Sequence, residues 1–214
     1  MSEYRSELPE VPQRMRRLPI ARGYPVPWFV MKVNGEFDFR VQDHRKRILA
    51  VNNHLCWLCG QRLGQHLAFV IGPMCAINRV SGEPPSHREC AEFAVKGCPF
   101  LTQRETGYRE AGLPEGVVMS DLNIVRQPGV ALIWVTRSYK IVRVDGETGY
   151  VCRMGDPDAV LWFREGRAAT RAEVMDSLDS GCPRLRKMAE DEGPRAVEHY
   201  ERSKEIAMQL LPAA

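Results

Sequence analysis

Four side chains at two matched spacings constrain this chain more than anything else in it. They are Cys56-x2-Cys59 and, after a gap of 27 residues, His87-x2-Cys90. Two thiols a turn apart can approach one ion, and Gly60 behind Cys59 allows the tight bend this needs. At the second half-site, Ser86-His87-Arg88-Glu89 has the form of a capping box, which predicts a helix with His87 as its first residue and Cys90 as its fourth. Positions three apart share a helix face, and the positive helix end favours a thiolate at Cys90. The expectation is one structural zinc ion on Cys56, Cys59, His87 and Cys90, a closed tetrahedral set. Two variants stay open at this point: Cys75 in place of His87, or a different set completed by Cys98.

The remaining cysteines fit that reading. Seven is an odd number, and the first residues have scattered charges and no apolar core of the secretory-signal kind. A disulfide framework is therefore not expected, and the chain is expected in the cytoplasm. No stretch approaches the ~20 apolar residues of a membrane-spanning helix. Net charge is +3, too mild to announce a nucleic-acid binder by itself.

The order of elements predicts an α+β chain. Residues 1–25 read as a flexible basic arm, broken by Pro9, Pro12, Pro19 and Pro25 and carrying Arg14, Arg16, Arg17 and Arg22. A hairpin over 28–33 and 36–41 is expected around Asn34-Gly35. A short helix over 43–52 should turn Ile48, Leu49 and Val51 inward. An apolar strand over 67–71 ends at Gly72-Pro73, and an irregular run to Pro85 follows. A polar connector over about 102 to 116 leads to strands near 130–135, 140–144, 150–154 and 160–163, with turns at 145–149 and 156–158. Thr170-Arg171-Ala172-Glu173 is a second capping box, opening a helix for which Gly181 suits the C-terminal cap. The tail is helical, broken at Gly193-Pro194. The expected organisation is a zinc-binding lobe over 26–110 and an antiparallel-strand lobe with C-terminal helices over 111–214.

A knuckle followed by two ligands at a helix start resembles the treble-clef zinc finger. The runs CWLCG, EPPSHRECAEF and CPFL are similar to those in a set of uncharacterised bacterial and phage proteins. That resemblance implies a metal site on Cys56, Cys59, His87 and Cys90, and no activity.

Catalysis has less to stand on. A nuclease of the HNH type needs a general-base His beside a second metal, and His66 and Asn78 are the residues on offer. Cys75, with His54 and His66 not far off in sequence, is more simply a buried thiol than a nucleophile. Cys152 and Cys182 read as core residues, and His44 and His199 as solvated. The functional expectation is a zinc-stabilised binding or adaptor protein. Its partner is nucleic acid, contacted by Arg14, Arg16, Arg17 and Arg22 with Tyr24 and Trp28 nearby for stacking, or else a protein. No small-molecule substrate is inferred.

Overall fold

The computed structural model describes residues 4–102, 129–143 and 149–213. Its elements, in chain order, are β1 (Ile20–Ala21), β2 (Tyr24–Pro25), β3 (Val30–Val33), β4 (Glu36–Gln42), α1 (His44–Asn53), β5 (Leu67–Ile71), α2 (Pro73–Asn78), β6 (Val80–Ser81), α3 (Arg88–Gly97) and α4 (Pro99–Thr102). After these come β7 (Ala131–Thr136), β8 (Tyr139–Arg143), β9 (Tyr150–Met154), β10 (Pro157–Arg164), β11 (Arg167–Ala168), α5 (Arg171–Glu192) and α6 (Pro194–Met208). Helices and antiparallel sheets are mixed, as an α+β chain requires.

Every residue of β7 is buried, and the reason is cover on both faces. One face, with Leu132 and Trp134, packs with Phe69 and Ile71 of β5, Ile77 of α2, and Val174, Leu178 and Leu185 of α5. The other, with Ala131, Ile133 and Val135, packs with Ala91 and Val95 of α3. A sheet ordered β11-β10-β7-β5 is thus held between α3 on one side and α2, α5 and α6 on the other. Each such buried side chain contributes roughly 1.5–3 kcal/mol of transfer free energy. Since β5 precedes residue 110 and pairs with β7, which follows it, this sheet joins the two sides of the expected lobe boundary. An all-apolar β5 needs a neighbour that its own half does not supply.

Several local expectations hold. Asn34 and Gly35 turn between β3 and β4 at φ 51° and 87°, the left-handed pair a two-residue hairpin demands. Thr170 and Glu173 make the reciprocal cap of α5, and Pro194 opens α6. Others are corrected. In α1, Ile48 and Leu49 face outward, 43% and 47% exposed. The inward stripe is instead Lys46, Arg47 and Ala50, because Lys46 Nζ donates to the Trp28 carbonyl at 2.6 Å and Arg47 to that of Tyr150. The run after Gly72-Pro73 contains α2 and β6. Asp156-Pro157-Asp158 is not a turn, since Pro157 opens β10. Gly181 does not end its helix, for α5 runs through it and Pro183 to Glu192, with Gly181 and Cys182 buried against the core and Pro183 on the exposed side. The connector beyond Thr102 and residues 144–148 lie outside the described residues.

The segment expected as a loose arm is packed. Gln13–Met15 forms a turn of 3-10 helix, and Ile20–Ala21 pairs with Tyr24–Pro25. Met15 and Val11 are 1% and 7% exposed, in one cluster with Cys56, Cys59, Cys90 and Phe93. Prolines exclude a long helix here but not burial, and Val11 and Met15 supply the apolar contacts.

Candidate metal centre

The knuckle is built by backbone hydrogen bonds. Leu55 and Arg62 form an isolated antiparallel bridge, the Cys56 amide donates to Gln61 at 2.7 Å, and the Gly60 amide donates to Cys56 at 2.8 Å. Gly60 sits at φ 72°, and a Cβ there would lie 2.7 Å from the Trp28 ring, so both conformation and space require glycine. Between the two cysteines, Trp57 is buried and stacks on Phe29 with ring centroids 4.7 Å apart.

The helix bearing the other half-site starts one residue later than the sequence predicts. His87 is the N-cap of α3, and Cys90 is its third residue. Ser86 does not cap, because its amide and carbonyl are both committed to Ala68 of β5 at 2.8 and 2.9 Å. Glu89 does not reach back either; its carboxylate accepts from Arg14 Nε at 2.7 Å. The capping box is therefore absent, and the bridge to β5 aims His87 instead.

Cys56, Cys59, His87 and Cys90 come together, their ligand atoms all within 4.8 Å of one another. Cys59 Sγ and Cys90 Sγ lie 3.4 and 4.0 Å from His87 Nδ1. The amides of Cys59 and His87 each donate to Cys56 Sγ at 3.4 Å. His87 Nε2 lies 3.0 Å from the Arg62 carbonyl, which can only accept. That contact holds one ring proton on Nε2, so Nδ1, the atom that faces the sulfurs, is the one a metal ion would meet. Four side chains can thus hold one metal ion.

The electrostatics agree. Hydrogen bonding to Cys56 and Cys59 raises His87 to about 10, against its half-burial. Hydrogen bonds to Cys56 and then Cys59 also push the Cys90 thiol up. Burial penalises the Cys56 thiolate, but hydrogen bonds from Cys59, Cys90 and His87 outweigh it and bring that thiol down. Protons are held here where sulfur charge concentrates, and a cation would serve the same charges.

Neither alternative ligand joins the set. Cys75 lies on α2 against the main core, and Cys98 caps the end of α3. Burial raises both thiols, the opposite of what an activated nucleophile needs. His66 is exposed, 3.6 Å from Asp158, and Asn78 is exposed on α2. Among the described residues no second group of three His, Cys, Asp or Glu side chains converges.

The four arginines of the N-terminal segment divide. Arg14 ties to Glu89 and to Gln61 of the knuckle, and Arg16 to Glu10 and the Val11 carbonyl. Arg17 and Arg22 are exposed and make no ion pair among the described residues. The aromatics expected for stacking are half-buried: the Trp28 ring packs on Gly60 and carries the Lys46 ammonium over it, and the Tyr24 ring carries the Arg5 guanidinium. What sequence reading missed is the lid formed by Val11 and Met15, whose spacing of four in an otherwise polar run was its signal. No helix among the described residues is long and apolar enough to cross a membrane. Compared with protein-family models, curated proteins and solved structures, the chain matches none of them.

Proposed function

We propose that the chain is a zinc-stapled binding protein, with one ion held by Cys56, Cys59, His87 and Cys90. The observation that carries this reading is the closed ligand set itself. Tetrahedral zinc with Zn–S of about 2.3 Å and Zn–N of about 2.0 Å would separate sulfur from nitrogen by about 3.5 Å. The separations of Cys59 Sγ and Cys90 Sγ from His87 Nδ1, 3.4 and 4.0 Å, straddle that value. Three thiolates and one imidazole favour zinc over magnesium, calcium or manganese. A knuckle closed by Leu55 and Arg62, then ligands at the N-cap and first turn of α3, supports a treble-clef reading of this site.

Four protein ligands leave no position for a substrate or an attacking water, so the ion supports structure rather than chemistry. It joins the knuckle to α3, and through them the N-terminal segment and the β3–β4 hairpin. The role that remains is binding, with the ion shaping the surface. Elemental analysis of the protein purified with its thiols reduced tests the reading. One zinc per chain is the expected result; protein free of zinc yet folded around these residues overturns it.

A further inference from the structure

The cations of this chain are not spread evenly. Residues 11–82, which include the knuckle, hold eleven Lys and Arg against three Asp and Glu, while the rest of the chain holds 19 against 24. Two of the three acids are neutralised locally, Asp38 by Arg40 and Asp43 by Arg45. We infer that this stretch, which holds the Cys56–Cys59 half of the candidate metal centre, binds the phosphate backbone of nucleic acid, with Arg17, Arg22, Lys32 and Arg62 as its principal contacts. The inference rests on the binding reading above and names its partner.

The four residues are chosen by what they lack and where they stand. Each is exposed, and none makes an ion pair among the described residues. Arg62 follows Gln61, whose amide donates to the Arg14 carbonyl at 2.9 Å, so Arg17 and Arg62 flank the contact between N-terminal segment and knuckle. Arg22 is close enough to Asp38 of β4 to act on its charge, and Lys32 lies in β3, directly across from Phe37. Arg22 also holds φ 55°, in a two-residue turn that Asn or Gly fills with less strain, and keeps a guanidinium at the tip. Elsewhere the pattern is different: on α5 and α6, Arg186, Lys187 and Arg202 are paired with acids one helical turn away.

An extended field of one sign suits an extended anion of repeating charge. A bilayer fits less well, since the large apolar side chains exposed in this stretch are just Met31, Ile48 and Leu49, too few for anchoring. With a cation already over each of the Trp28 and Tyr24 rings, phosphate contacts rather than base stacking carry the binding, and recognition is of the backbone rather than of sequence.

The test is fluorescence anisotropy of the full chain with a labelled duplex, a labelled single strand of the same sequence, and anionic vesicles. Four phosphate contacts give a log–log salt slope of about −3.6 on duplex, or an affinity loss of about 100-fold between about 50 and 200 mM salt. The paired variants Arg17→Gln/Arg62→Gln and Arg22→Gln/Lys32→Gln should each remove about half of that slope, with unchanged melting temperature. Arg186→Gln/Arg202→Gln should leave it unchanged. Slopes that none of the variants alters overturn the inference, as does binding to vesicles but to neither oligonucleotide. Zinc is measured on the same samples: loaded protein that ignores nucleic acid sinks this inference alone, whereas metal-free folded protein sinks the binding reading beneath it.

Discussion

The surroundings of the metal centre and the sheet beneath α5 and α6 keep their shape by different means. Around the centre the buried apolar set is small, and three of its seven members are the ligand cysteines themselves. The sheet owes its stability to Trp134, Phe69, Leu132, Ile77 and the inner faces of three helices. One region has a ligand set that could supply coordination where hydrophobic area is short, and the other needs no such help. Their responses to damage should therefore differ in kind.

The largest effect is expected from Cys56→Ser or Cys90→Ser. Structural metal sites contribute on the order of 10 kcal/mol to the folding of small modules, so either change should abolish metal loading and unfold the surroundings of the knuckle. Retained metal at full stoichiometry would break the comparison. Next comes deletion of residues 1–22. It removes Val11 and Met15 from over the ligands, worth roughly 3–6 kcal/mol of burial, and should speed metal loss to a chelator severalfold. Unchanged release would show that the lid does not guard the ion.

Leu132→Ala, in the sheet, should cost about 2–5 kcal/mol through transfer and cavity terms while leaving metal content untouched. Metal loss in that variant would mean that the two regions melt as one. Smaller still is Cys152→Ser, about 1 kcal/mol, because this fully buried thiol only packs. An effect as large as that of Cys90→Ser would remove the distinction between ligand and core cysteines.

The smallest prediction concerns the start of α5. Glu173 accepts from Arg167 and caps the Thr170 amide, which lowers its carboxyl from 4.5 to about 2. A depressed folded pKa stabilises above the unfolded value, so the contribution is complete above about pH 4.5 and lost as pH falls toward 2. In Glu173→Gln the melting temperature should be less steep across that window. Identical pH profiles would show that the cap does not matter.

Much of this was legible because it is local. The ligand residues follow from two spacings, the β3–β4 turn from Asn34-Gly35, and the α5 cap from Thr170 and Glu173. What escaped depends on distant partners. Ser86 resembles a helix cap until Ala68, eighteen residues earlier, claims both its backbone groups. Ile48 and Leu49 look like core residues until Lys46 and Arg47 are seen bonding the carbonyls of Trp28 and Tyr150. Gly181 reads as a helix end, yet packing against the sheet carries α5 through it and through Pro183. The net charge of +3 hid the acid-poor stretch because it averages over two unlike regions.

The Ser86–Ala68 bridge has a further consequence. Among the described residues β5 has β7 on one side only, and on the other its edge is met just by Ser86, the residue before a candidate metal ligand. The segment Leu67-Ala68-Phe69-Val70-Ile71 carries no charge and no proline, the composition that pairs most readily with copies of itself. Without an ion on the four ligands, His87 would lack that anchor and Ser86 would be freer to lift from that edge. Chains stripped of metal should then clump into β-rich aggregates before the rest of the sheet has melted, and a metal held at this centre would double as a guard against self-association.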